Sequence, residues 1–353
     1  MLRQIARLTR NVPSAGERAL AVAVYADALN VTVDAREAGY EGVACVDDAA
    51  RALEVYCDIW ERTRLPWVLR WCEGLLDFIL FMQDPDGRWV NFILDWRGTP
   101  NRTGRTSVAG GGFWQSRALV ALARASRALP DDRIEAALTL GLPHILQATD
   151  VPPDVRALHV MTALALMDSS ATGAWHPPLT SWCEEMIKCS NGDVLMNAAA
   201  ERGRPHLWGH IQEGVLADAG ARLGRDDLVA AACRSADALF PPLIAGCFDL
   251  PRTQPYDVAS AVYGLTHLAA VTGRGDYALL AADAQAWFNG RNPGRIPVYD
   301  RDVGRVSDGL DGTTPSTHSG AESNIVAAQA LVNDATALAL TLPLEVALPA
   351  PVG

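Results

Sequence analysis

Apolar residues recur at three- and four-residue intervals along most of the chain, interrupted by short stretches of Gly, Pro and Asp. That pattern predicts roughly twelve helices. Their expected spans are 14–29, 46–63, 66–83, 114–129, 132–148, 153–168, 178–190, 206–224, 226–241, 256–272, 276–289 and 319–339. β-Branched alternation is scarce, and Arg88–Leu94 (RWVNFIL) is the one segment expected to form a strand, in a small hairpin. No stretch reads as a linker, so 1–341 is expected to be a single domain and the proline-bearing 342–353 a surface tail.

The helices carry a repeat. The second, fourth and sixth contain DAARALEVY (48–56), WQSRALVAL (114–122) and PDVRALHVM (153–161), with Arg51, Arg117 and Arg156 in one register. The tenth, YDVASAVYGL (256–265), keeps the spacing without the arginine. Copies lie roughly 40 to 100 residues apart, the length of one or two helical hairpins. A chain of 353 residues is long for one ordinary core but suits a closed ring of such hairpins. The expected fold class is therefore all-α, an (α/α)6 toroid. Alternate helices then begin at the same end, where free N–H groups and positive dipole ends gather.

Those helix starts hold the candidate chemistry. They carry Asp47 and Asp48; Trp114 and Gln115; Asp154; His206, Trp208 and His210; Tyr256 and Asp257; His318 and Glu322. An Asp at such a place is also a plain cap, but capping has no use for Trp, Tyr, His or Gln. Adjacent Asp47 and Asp48 repel if both are buried and ionised, so they fit a solvated mouth where one caps and the other faces outward. The stretch 86–119, a long Gly-rich loop running into the fourth helix, adds Trp96, Arg97, Arg102 and Arg105, flat faces and forked donors suited to sugar rings and hydroxyls. Trp208, Gln212 and Glu213 fall near one helical stripe. The stretch 287–331, a long polar loop running into the last helix, delivers Glu322 onto that helix's first turn, and Asp308 and Asp311 within it read as turn formers.

Composition narrows the partner. The net charge is −11 with no basic run, which argues against nucleic acid and anionic membranes and fits a neutral or cationic small molecule or glycan. No run approaches the roughly 18 apolar residues of a membrane span, and MLRQIARLTRNVPSAGE lacks the apolar core of a secretory signal. The seven cysteines are scattered, with no Cys-x-x-Cys, as expected of buried free thiols in a reducing compartment. A cytoplasmic protein is expected. His206 and His210, four apart, lack a third ligand at helical spacing, and the spacing of Asp300, Asp302, Asp308 and Asp311 matches no standard Ca²⁺ loop. No metal and no cofactor is expected, and nothing sets the oligomeric state.

The series CVDDAARAL, RWVNFILDWR, SRALVAL and NGRNPGRIPVYDRDVGRVSDGLDG followed by HSGAESN resembles a family of bacterial helical-toroid proteins. These occur alone or beside sugar glycosyltransferases and carry "DDNARAL", "NF-D-R", "GRALWAL" and "DG…GAES". The family is similar to six-hairpin glycosidases, and the closing segment is similar, more faintly, to the last loop and helix of family 9 glycoside hydrolases. The chain departs from the pattern at Ala49, where the family has Asn, and at VAGGGFWQS (108–116), where an acidic stretch is replaced.

The resemblance implies a glycoside hydrolase working by two carboxylates, with Glu322 as acid, Asp48 as base and Asp47 in support. By analogy of layout it inverts. Asn91, Asp95, Trp96, Arg97, Arg105, Trp114, Gln115, Trp208, His210, Gln212, Glu213, Tyr256, Asp257 and His318 are then expected to bind substrate. Two other readings stay open: a sugar lyase or epimerase using Tyr256 or His210 as base, and a non-catalytic glycan-binding partner of a glycosyltransferase.

Overall fold

The computed structural model describes residues 1–27, 32, 39–167 and 172–342. Its helices are α1 (Leu2–Leu8), α2 (Val46–Thr63), α3 (Pro66–Phe81), α4 (Gly112–Ala128), α5 (Asp132–Leu146), α6 (Pro153–Met167), α7 (Thr172–Lys188), α8 (Gln212–Leu223), α9 (Asp226–Ala245), α10 (Pro255–Thr272), α11 (Gly275–Gln285), α12 (Ala321–Ala330) and α13 (Val332–Thr341). The tail expected beyond Leu342 lies outside the described residues.

Several expected elements change. The helix expected over 14–29 is instead a 3-10 turn, Pro13–Ala15, and a strand, Leu20–Val22, paired antiparallel with Thr9–Asn11. Leu20, Ala21 and Val22 are all buried, and a run buried on both faces has no period to separate strand from helix. The helix expected from 206 starts only at Gln212, because Gly209 sits in the left-handed region (φ 70°). Pro177 and Pro178, which read as a helix start, lie inside α7. The last helix breaks at Leu331 into α12 and α13. Within Arg88–Leu94 only Phe92–Ile93 is strand, and it pairs with Ala44–Cys45 rather than in a local hairpin.

The chain forms two compact units. The first combines Met1–Gln147, Tyr299–Asp308 and the chain from Ser316; the second is Ala148–Val298 with Gly309–Pro315. In the first, α2 packs on α3, α4, α12 and α13, and α4 packs on α5. In the second, α8 packs on α6, α9 and α10, with α7 against α6 and α11 against α10. Within each unit the helices divide into two kinds. α2 is buried without a break from Asp48 to Cys57, and α4 from Gln115 to Ala123, as a helix surrounded by others must be. Their partners bury one stripe only. α5 buries Ile134, Ala137, Leu138, Gly141 and Ile145, and α9 buries Leu228, Ala231, Ala232, Ser235, Ala236, Leu239 and Phe240. α9 is, by length and composition alone, long and apolar enough to cross a membrane, although no such run was expected; half of its most apolar window is buried, as in a core helix.

Close packing fixes α3 against the strand that leads toward α2. A β-carbon on Gly74 would stand 2.7 Å from the Arg18 carbonyl oxygen and 2.6 Å from Leu20 Cγ. Backbone cannot give way as a flexible side chain can, so Gly74→Ala is expected to lower stability by about 1–3 kcal/mol. Thermal melting checks this, and an unchanged melting temperature would show that the strand moves freely.

Candidate active site

The first unit gathers a set of charged side chains around the start of α2. Cys45 caps that helix: its Sγ accepts the Asp48 N–H at 3.4 Å. Asn91 fixes the same turn, its Oδ1 accepting from the Asp47 N–H (3.1 Å) while its Nδ2 donates to the Thr106 carbonyl (2.9 Å). Its backbone carbonyl takes the Val46 N–H as well. Asp47 and Asp48 therefore stand on the first turn of α2, where the helix dipole favours them.

Glu322 arrives on the first turn of α12. That start is pinned by backbone: the Ala321 N–H donates to the Val24 carbonyl (3.1 Å) and the Gly320 N–H to Asp308 Oδ1 (2.8 Å). Asn324, one turn on, accepts from the Val306 N–H (2.9 Å) and ties the helix to the preceding loop.

One guanidinium joins the two helix starts. Arg51 Nη1 donates to Glu322 Oε1 (2.6 Å), and its Nη2 donates to Asp48 Oδ1 (2.8 Å) and to Asp47 Oδ2 (3.1 Å). Arg117, from α4, donates to the same Asp47 Oδ2. Burial raises the Asp48 carboxyl to about 6; Arg51 pulls against that rise, while Glu322 and Asp47 add to it. Burial opposes the charge on Arg51, but its three carboxylates outweigh it and hold the guanidinium above its ordinary range. Cys45 is pushed well up by burial and by Asp48 and Asp47, so it stays a neutral thiol whose S–H reaches Asp48 Oδ2 (3.4 Å).

Asp48 is 3% exposed, whereas the Glu322 side chain is 32% exposed. Beside them stand aromatic rings. Tyr25 packs against His318 (centroids 5.0 Å apart) and Tyr40 (6.1 Å). Burial raises the Tyr40 hydroxyl, and the charges of Asp308, Glu322 and Asp48 raise it further, which puts it within their field. Burial likewise raises Asp308, with Glu322 adding to the effect against bonds from Gly320 and Ser323.

Other residues expected in the site have separate duties. Gln115 is buried, its Oε1 accepting from the Trp89 N–H (3.0 Å) and its Nε2 donating to the Gly87 carbonyl (3.2 Å). Trp114 Nε1 donates to the carbonyls of Trp89 (3.0 Å) and Val108 (3.1 Å). Both side chains hold the glycine-rich loop, whereas the sequence pointed to sugar contacts. Asp95 accepts from the N–H groups of Arg97, Gly98 and Thr99; these bonds hold its carboxyl low against the opposing effect of burial. It is a turn former, with half-buried Trp96 and exposed Arg97 following it; Arg105 is exposed further along the loop.

The second unit has its own polar cluster. His210 is fully buried, with Nδ1 against Asn197 Oδ1 (2.8 Å) and Nε2 against Glu213 Oε1 (3.0 Å). Gln212 Nε2 donates to Asn197 Oδ1 (2.7 Å), and Ser235 donates to Glu213 (2.6 Å). Burial disfavours the Glu213 carboxylate, but His210 and Ser235 more than offset this and hold it below its usual range. With both nitrogens of His210 engaged and His206 exposed, the two do not share a metal position. Asp257 closes a capping box with Gln254 at the start of α10, its Oδ2 accepting the Gln254 N–H (2.7 Å). Tyr256 and Trp208 are half-buried nearby in sequence. Among the described residues no group of three or more His, Cys, Asp or Glu is placed to hold a metal.

Arg51, Arg117, Asp308, Tyr25 and Tyr40 were not among the expected site residues. The arginines were visible only as a repeat, with no role assigned; Asp308 read as a turn former, and nothing in the sequence marked the two tyrosines.

No family model and no curated protein matches the sequence. Solved structures do. A sugar epimerase from a ruminal bacterium superposes with a TM-score of 0.70 at 14% identity, covering 94% of this chain and 98% of the other. Cellobiose 2-epimerase from Bacillus thermoamylovorans gives 0.71 at 10% identity, covering 95% and 96%. The α-1,6-mannanase GH76A from Salegentibacter gives 0.62 at 13% identity, covering 96% and 97%. The likeness is one of fold, and the fold class is all-α, (α/α)6.

Proposed function

We propose that the protein is a carbohydrate-active enzyme, and more narrowly a glycoside hydrolase whose acid and base are Asp48 and Glu322. The observation that carries this is the bridge through Arg51: two carboxyl groups from opposite ends of the chain share one guanidinium. Glycoside cleavage needs one carboxyl group that holds a proton near neutral pH and another that does not. Asp48, raised to about 6, suits the proton donor, and Glu322, open to solvent, suits the group that activates water or attacks. The burial difference favours these two roles in the opposite sense to the sequence reading, which made Glu322 the acid and Asp48 the base.

Asp47 and the two arginines hold the pair in place, while Tyr25, Tyr40 and His318 offer rings on which a sugar can stack. Neutral or cationic sugars fit best, because Arg51 and Arg117 already face carboxylates and the chain is acidic. The like-fold mannanase supports the reading, as does the resemblance of the helix-start motifs to bacterial toroid proteins.

A panel of neutral and amino-bearing oligosaccharides, digested and read by mass, tests it. At least one member is expected to gain water and split, and NMR of the fresh product reads inversion or retention of the anomeric centre. A panel that binds without turnover would favour a glycan-binding partner of another enzyme and reject the hydrolase.

A second reading has its own observation. Like-fold structures include sugar epimerases and a D-mannose isomerase, whereas His210, the base the sequence offered for such chemistry, is buried with both ring nitrogens held by Asn197 and Glu213. Under it the product keeps the substrate's mass, and in D₂O a carbon-bound hydrogen exchanges. That outcome would reject Asp48 and Glu322 as a hydrolytic pair.

A further inference from the structure

Arg51 serves three carboxylates, and its bonds to them are unequal. Those to Glu322 (2.6 Å) and Asp48 (2.8 Å) are shorter than the one to Asp47 (3.1 Å). Asp47 is the nearest competitor for the fork, being one turn back on the same helix, and Arg51 Nε already leans toward the Asp47 backbone carbonyl (3.4 Å). A lone carboxylate at that spacing favours a two-bond, fork-to-fork grip on its arginine. A second cation competes for that carboxylate: Arg117 approaches the same oxygen, Asp47 Oδ2, while Asp47 Oδ1 is buried without a hydrogen-bond partner.

Arg117 is well placed to stay there. Its side chain is 6% exposed, and the Phe113 ring, one turn earlier on α4, faces its guanidinium at 5.3 Å. α4 packs directly on α2. Arg51 and Arg117 also occupy the same register of the Arg-Ala-Leu repeat, so two neighbouring helices deliver two guanidiniums to one carboxylate.

We infer that Arg117 is a positioning residue: by clamping Asp47 from α4, it keeps the fork of Arg51 turned toward Asp48 and Glu322. As a role in catalysis this rests on the acid–base reading above; as a coupling between side chains it stands without it. Remove Arg117, and Asp47 draws Arg51 back along α2. Asp48 then loses its nearest cation and holds its proton to higher pH. The groups that bear on Asp48 are Cys45, Asp47 and Arg51 on its own turn, Glu322 from α12, and the Tyr40 hydroxyl. Those that bear on Arg117 include Asp47 and Glu54, both on α2, and the Phe113 ring on its own helix.

A double-mutant cycle on the full chain, without substrate, tests the inference. The Asp48 carboxyl is titrated by ¹³C NMR in the parent, Arg117→Leu, Asp47→Asn and the double variant. Arg117→Leu is expected to raise the Asp48 midpoint by about one pH unit, and to leave it unmoved in the Asp47→Asn background. A rise of the same size in both backgrounds means that Arg117 acts directly through its field, and overturns the inference; so does no rise in either. Should Arg117→Leu fail to fold, Arg117→Lys takes its place. The charge is kept and the fork lost, so positioning expects a smaller rise confined to the Asp47 background, and a direct field expects none. Because no glycan enters the measurement, a protein that cleaves nothing leaves the coupling intact, while turnover with an unmoved midpoint removes the coupling alone.

Discussion

Glu322→Gln is expected to lower glycoside cleavage by about 10²–10⁴-fold or more, the range removed with a general acid or base, and to leave the fold in place. The amide has the shape of the carboxylate and keeps an oxygen for Arg51 Nη1, but it can neither take a proton from water nor attack. The structural cost is small because the Glu322 side chain is 32% exposed. An ion pair that open to solvent is worth about 0–1 kcal/mol, and Arg51 retains Asp47 and Asp48. A second signature accompanies the loss. The charge on Glu322 helps raise Asp48, so removing it lets Asp48 release its proton below pH 6. Product release from a glycan that the parent cleaves, together with circular-dichroism melting, checks both halves. Full turnover in the variant would falsify the role given to Glu322.

Arg51→Leu is expected to do the opposite, damaging the fold first. Arg51 is 8% exposed and neutralises three carboxylates. Deleting one partner of a buried pair typically costs about 3–5 kcal/mol, because the other is left charged in a dry place. Asp47 keeps Arg117; Asp48 loses the cation bound to its Oδ1. The loss must depend on pH. In the parent, Asp48 titrates near 6 when folded and near 3.9 when unfolded. A carboxyl group whose folded value is raised contributes its stability at low pH, and that contribution fades as pH climbs through the folded value. The parent therefore loses it between about pH 4 and 6. Without Arg51 the folded value rises further, and the loss continues to higher pH. Melting temperatures of parent and variant should lie close at pH 5 and far apart at pH 8. An equal gap at both would mean that Arg51 stabilises through its stem rather than its charge.

Much of the fold was legible because period and burial agree. The span expected for the second helix, 46–63, is that of α2, and the stripes of α5 and α9 are written in the spacing of their apolar residues. Legibility failed where sequence period carries no information. Leu20–Val22 is buried on both faces and gives no alternation to read, and Gly209 halts α8 through a backbone angle that no hydrophobic pattern records.

The candidate site shows a similar division. Asp47, Asp48 and Glu322 were visible as acids at helix starts, and the structure brings them together. Gln115 and Asp257 looked the same in sequence, yet one holds a loop and the other closes a cap, because residue type at a helix start does not say which way the side chain turns. Arg51 was in plain view as a repeat. What the sequence withheld was that the repeat places it between three acids.

The order in which the chain is made has its own consequence. Asp47, Arg51 and Arg117 all lie in the first third of the polypeptide, on helices that pack together, and can assemble while the ribosome is still working. Glu322 is 271 positions beyond Arg51, so its contact closes the longest loop of the cluster and must wait until α12 has emerged. A product that stops short of α12 thus carries Asp48 without Glu322, and the proposed acid–base pair is complete only once α12 docks on α2.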